Sequence, residues 1–139
     1  MNLPNPHRTL ISVGSNIEPE KNIAQAHEIL ATEENLIRAA TAIKTVPVGY
    51  QNQPDFLNTA FLVETASDME TFNAYLKSVE IRIGRVKGPT KSGPRVIDLD
   101  IIIWDGVIVH EDYPDKSYVS TPIDELLATL PTDRAEQVT

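Results

Sequence analysis

The chain has 139 residues, with 41% hydrophobic and 23% charged side chains, no cysteine and a formal net charge of −8. A domain of this size buries a real core unaided, and the lack of thiols excludes disulfide frameworks, thiolate zinc sites, iron–sulfur clusters and thiol nucleophiles. An acidic average argues against nucleic-acid or membrane-surface partners, and no apolar run approaches a membrane span. Met1 to Arg8 has no signal-peptide character, so a cytoplasmic protein with a single domain over residues 1–139 is expected.

Thr9 to Val13 reads as an apolar strand ending at Gly14-Ser15-Asn16. Asn16 or the acidic pair Glu18 and Glu20 opens a helix to about Ala31, with Ile23, Ala26, His27 and Leu30 on one side. Leu36 to Val46 is a second strand, and Val46 to Asp55 is a rigid loop rich in proline and amides. Phe56 to Glu64 forms a third strand. Ser67 with Glu70 fits a capping box for a second helix, whose Met69, Phe72, Leu76, Val79 and Ile83 recur at helical spacing. Gly84 would end it, and a Gly/Pro/Lys loop runs from Arg85 to Pro94. Val96 to Trp104 is a buried strand, Asp105-Gly106 a two-residue turn, and Val107 to Val109 its return. Pro122 to Leu130 closes the chain as a short helix with proline in its first turn. The order β-α-β-β-α-β, plus a C-terminal hairpin and short helix, predicts a ferredoxin-like α+β fold, an antiparallel sheet with its two main helices on one face.

Charge is unevenly distributed. Lys77 to Arg95 holds six of the twelve lysines and arginines against Glu80 alone, so this stretch is +5 on an otherwise acidic chain. A concentrated basic segment suits an anion, although a solvated helix face would read the same way. Asp98 and Asp100 alternate within the most hydrophobic stretch, so their carboxylates project to one face, roughly 7 Å apart at the backbone. Paired carboxylates call for a cation between them, and Mg²⁺ suits one or two carboxylates plus substrate phosphates. Edge-strand aspartates facing water are the bland alternative. Arg95, at the end of the basic loop, offers a fork of donors to phosphate.

At these residues the sequence resembles the 6-hydroxymethyl-7,8-dihydropterin pyrophosphokinase family of the folate pathway. The resemblance rests on Gly93-Pro94-Arg95-Val96-Ile97-Asp98-Leu99-Asp100-Ile101-Ile102, with Val13-Gly14-Ser15-Asn16, Thr45-Val46-Pro47-Val48-Gly49, Gln53-Pro54-Asp55-Phe56-Leu57-Asn58, and Glu80 with Gly84-Arg85-Val86. It implies transfer of pyrophosphate from ATP to the hydroxymethyl group of the dihydropterin, with release of AMP. Asp98 and Asp100 would then bind two Mg²⁺ ions. Arg95 and Arg85 would serve catalysis. Lys77, Glu80, Arg85, Lys87, Arg95, Ile101 and Lys116 would hold the nucleotide, the Lys87 to Ser92 loop closing over it. Thr45, Val46, Val48, Phe56, Asn58 and Tyr118 would hold the pterin. A monomer is expected, with a dimer as the alternative. Ser92 stands where the family commonly has a lid tryptophan, the C-terminal region is short, and His110 reads as an ordinary surface residue. These departures keep a second expectation open, a weakly active or inactive relative that binds pterin or nucleotide as a regulatory module.

Overall fold

The computed structural model describes residues 5–47, 52–84 and 94–130. The elements run β1 (His7–Ser15), α1 (Pro19–Glu33), β2 (Asn35–Ala39), β3 (Ile43–Thr45), β4 (Phe56–Thr65), α2 (Met69–Ile83), β5 (Asp98–Trp104), β6 (Val107–Ile108) and α3 (Ser117–Leu127). All the strands join one antiparallel sheet in the order β2-β4-β1-β5-β6, with β3 pairing alongside β4. This is the expected ferredoxin-like α+β architecture.

Alternation along β1 and β4 divides the core in two. Ile11, Val13, Phe61 and Val63 face α1 and α2, meeting Ala26, Leu30, Phe72, Leu76 and Val79. Leu10, Ala60 and Leu62 face the other way and pack under Val119, Ile123 and Leu126 of α3. Each fully buried Leu, Ile or Phe contributes about 1.5–3 kcal/mol by leaving water. The third helix covers only the Leu10–Leu62–Ile103 end of its face. Among the described residues no helix covers the Gly14–Asn58–Asp98 end, and there the site lies.

Three local expectations need correction. The strand expected over Leu36 to Val46 is two strands, β2 and β3, because an extra residue at Ile37 shifts the register against β4 and the chain leaves it after Ala40, whose N–H still donates to the Ala60 carbonyl. Helix α1 opens at Glu18 as one of the two alternatives had it, with Glu18 left-handed (φ 40°) and no side-chain cap; Ala26 and Leu30 are buried beside Asn22, Ile23 packs on the core, and the exposed His27 sets its ring edge-on to Phe61. Helix α2 is capped by Asp68, whose carboxylate accepts from the Thr71 N–H at 2.8 Å, while the Ser67 N–H turns back to Thr65 Oγ1. Helix α3 starts at Ser117, so Pro122 lies inside it; the buried stripe of Val119, Ile123 and Leu126 offsets the lost backbone bond. The turn and the end of α2 are as expected. Asp105 (φ 49°) and Gly106 (φ 84°) make the hairpin turn, and Gly84 (φ 122°) stops the helix.

Candidate active site

Register across the sheet builds the site. Asn58 of β4, Gly14 of β1 and Asp98 of β5 lie in one row, and Ala60, Ser12 and Asp100 in the next. Strands are about 4.8 Å apart, so Asn58 and Asp98 stand roughly 10 Å apart at the backbone. Between them lie glycine and serine, and the Asn58 amide oxygen reaches in over Gly14. A trough therefore runs over the bare face, lined among others by Thr45, Phe56, Asn58, Arg95, Asp98 and Asp100. A bulge at Ile102 sits between the pairs Ile11–Ile101 and Leu10–Ile103, so Ile102 and Ile103 both turn under α3 while Trp104 swings to the α1–α2 side. The aspartates keep their facing, and the far end of the strand is free to close the core.

β6 pairs with β5 at Ile103 and Trp104, and the Val109 N–H donates to the Ile102 carbonyl, so among the described residues the outer edge of β5 beside the aspartates has no strand neighbour. Helix α2 supplies the missing partners. Glu80, 3% exposed, accepts the Leu99 N–H at 2.7 Å, and Lys77 Nζ donates to the Leu99 carbonyl at 2.7 Å. The same ammonium donates to Glu80 Oε2 at 3.1 Å and to Asp100 Oδ1 at 3.2 Å. Burial by itself pushes Lys77 down, but Asp100 and Glu80 outweigh it, and the group is held above its ordinary value. Lys77 is thus a charged, fully engaged cation at the carboxylate end.

At the other end, Asn58 Nδ2 donates to Thr45 Oγ1 at 2.6 Å, tying β4 to β3, and Asn58 is 5% exposed. A Cβ on Gly14 would lie 2.8 Å from Asn58 Oδ1. The amide oxygen therefore points at the glycine and fills the space a side chain would take. Asn16 braces the two loops that bound the trough. Its side chain accepts the Arg95 N–H at 2.8 Å and donates to Gln53 Oε1 and the Pro54 carbonyl at 2.8 and 3.0 Å, while its backbone N–H donates to the Arg95 carbonyl. Sequence reasoning saw Asn16 as a helix opener and missed this role, which depends on residues 37 to 79 positions away.

Among the other expected site residues, Val46 and Tyr118 line the trough with Phe56. Burial raises the Tyr118 phenol, and Asp112, Asp98 and Asp100 raise it further, so the hydroxyl stays protonated beside these carboxylates. The Ile101 side chain points into the α1–α2 core, away from the trough. Lys116 is exposed at the start of α3 and outside the trough lining. Val48, Arg85 and Lys87, with the loop from Lys87 to Ser92, lie outside the described residues. His110 is not the ordinary surface residue expected: it lines the trough with Asp112, whose N–H it accepts at Nδ1 (3.1 Å). Ser12, also in the lining, was not singled out, although its spacing of two from Gly14 on a strand is the signal that would have found it.

Among the described residues, no three His, Asp or Glu side chains are grouped to hold a metal by themselves. Asp98 and Asp100 fit a Mg²⁺ that completes its shell with water and phosphate oxygens, the arrangement typical of that ion.

The fold and the trough define a ferredoxin-like α+β protein whose open sheet face carries carboxylates at one end and an amide–aromatic set at the other. The sequence profile of the 7,8-dihydro-6-hydroxymethylpterin-pyrophosphokinase family matches residues 10–128, and the chain belongs to that family. It is similar to the 2-amino-4-hydroxy-6-hydroxymethyldihydropteridine pyrophosphokinase of Haemophilus influenzae, 26% identical over 140 residues, covering 93% of this chain and 87% of that protein. The enzyme of the same name from Methylorubrum extorquens is 28% identical over 134 residues, covering 88% of this chain and 84% of that one. The mitochondrial folate synthesis bifunctional protein of Pisum sativum is 30% identical over 130 residues; 86% of this chain is covered, but only 25% of the plant protein.

Proposed function

We propose that this chain transfers the pyrophosphoryl group of ATP to 6-hydroxymethyl-7,8-dihydropterin in folate synthesis, releasing AMP, and that the trough is where it does so. The observation that carries this reading is the row Asn58–Gly14–Asp98, which sets a heterocycle-reading amide and a metal-suited carboxylate at opposite ends of one lane. Family membership and the names of the single-function relatives support the reaction.

In this reading the pterin lies at the β3–β4 end. Asn58, fixed by Thr45, gives and accepts hydrogen bonds at the ring edge. Backbone groups at Thr45, Val46 and Val48 read the remaining edge. Phe56 stacks on one ring face and Tyr118 on the other. The lane over Gly14 and Ser12 leads the hydroxymethyl group toward Asp98 and Asp100. Two Mg²⁺ ions bound there with the triphosphate would neutralise phosphate charge and align the displacement. Arg95 holds phosphate oxygens, positioned through the brace on Asn16, and Arg85 and Lys87 add positive charge from the basic loop. Lys77 and Glu80 order the nucleotide end, Ile101 meets the nucleotide through its backbone, and Lys116 approaches from the start of α3. Chemistry takes place between fixed groups, so positioning and electrostatics supply the acceleration.

Two substitutions separate the ends. Asp98→Ala is expected to lower turnover by at least about a thousandfold, as loss of a strong charge-stabilising group does, while pterin affinity measured by fluorescence titration stays unchanged. Phe56→Ala is expected to weaken pterin binding about tenfold or more, since ring stacking is worth about 1 kcal/mol beyond the area buried. Near-full activity in Asp98→Ala would refute the assignment.

A further inference from the structure

Lys77 stands out because its ammonium has three protons and three acceptors: Leu99 O at 2.7 Å, Glu80 Oε2 at 3.1 Å and Asp100 Oδ1 at 3.2 Å. Two of these anchors are independent of Asp100. The Leu99 carbonyl lies on the β5 edge that has no strand neighbour among the described residues, and the Glu80 carboxylate is itself pinned to the Leu99 N–H. A cation held in this way does not leave when Asp100 changes partner. It remains beside the carboxylate as a fixed positive charge, and it points Oδ1 toward the helix side of the strand.

We infer that Lys77 is a positioning residue and resident counter-cation for Asp100, which discourages a free divalent ion from occupying the carboxylates before the nucleotide arrives. The inference rests on the reading of Asp100 as a metal ligand. In the ligand-free protein, Lys77 offsets part of the charge on Asp100. An incoming divalent ion meets a like charge a few ångströms away and loses affinity. An ion accompanied by a triphosphate carries a net negative charge, so the same lysine attracts it. One side chain thus disfavours the bare metal and favours the metal–nucleotide complex. The geometry also explains why a lysine can occupy a mostly buried site next to the sheet edge: its backbone and carboxylate contacts satisfy every donor.

The test is binding of free Mn²⁺ to the nucleotide-free protein, followed by electron paramagnetic resonance, in wild type, Lys77→Gln, Lys77→Arg and Asp100→Asn. Glutamine keeps a donor for the Leu99 carbonyl but removes the charge; arginine keeps the charge. Removing a unit charge this close is expected to tighten Mn²⁺ binding in Lys77→Gln about tenfold or more. Lys77→Arg should remain near wild type, and the affinity for the metal–nucleotide complex should fall in Lys77→Gln. Unchanged or weaker Mn²⁺ binding in Lys77→Gln, with Asp100→Asn losing it, would overturn the role of Lys77 and leave the metal assignment standing. Unchanged binding in Asp100→Asn would instead remove the metal assignment, and the role of Lys77 with it.

Discussion

Gly14 is required by contact rather than by backbone conformation. It lies mid-strand, and what it permits is the close approach of Asn58, whose Oδ1 occupies the space a Cβ would claim. Asn58 is buried and tied to Thr45, so it has little room to yield. Gly14→Ala is therefore expected to displace the amide and weaken pterin binding about tenfold, the cost of one misplaced buried hydrogen-bonding group. ATP affinity should be spared, and isothermal titration with each ligand separately checks both. Unchanged pterin affinity would mean that Asn58 does not touch the ring. Residues such as Asp98 and Asp100 were legible from the sequence because strand alternation is a local rule. The brace made by Asn16 was not, nor was the contact of Lys77, expected only as a nucleotide-binding residue, with Asp100, since both are set by partners that only the folded sheet brings near.

Helices α1 and α2 are locked side by side by a network outside the site. Arg82 donates to both oxygens of Glu33 at 2.8 and 2.7 Å, and the Tyr75 hydroxyl donates to Oε1 at 2.7 Å. Hydrogen bonds from Arg82 first and Tyr75 second lower Glu33 from 4.5 to about 2. A carboxylate depressed in the folded state stabilises it above the unfolded value and loses that contribution as pH falls through the folded one. The contribution should be intact above about pH 4.5 and fade toward about pH 2. Because the pair is exposed, the effect is modest and screened by salt. In Glu33→Gln the melting temperature should fall less steeply over that acid range than in wild type. Parallel acid limbs would show that the network contributes no pH-dependent stability. The helices themselves were legible from periodicity. Their caps were not, because Ser67 and Asp68 compete locally and the fold selects the one whose carboxylate meets Thr71.

The fold was legible because apolar strands, two amphipathic helices and a Asp105-Gly106 turn all agree with one topology. Three features escaped: the split of β2 from β3, the bulge at Ile102 and the early start of α3. Each depends on pairing or packing between distant segments rather than on local pattern. They matter to function, since the bulge turns Ile102 and Ile103 under α3, and among the described residues α3 covers only the Leu10–Leu62–Ile103 end of its sheet face. The carboxylates, Arg95 and the amide–aromatic end then share a single trough, consistent with the joining of two substrates in one place. The direct test is AMP formed from ATP and Mg²⁺ by the purified chain, with and without 6-hydroxymethyl-7,8-dihydropterin. The expected result is AMP that appears only with the pterin and in equal amount to the pyrophosphorylated product. Tight pterin binding with no pterin-dependent AMP would contradict it and identify the chain as a binding relative instead.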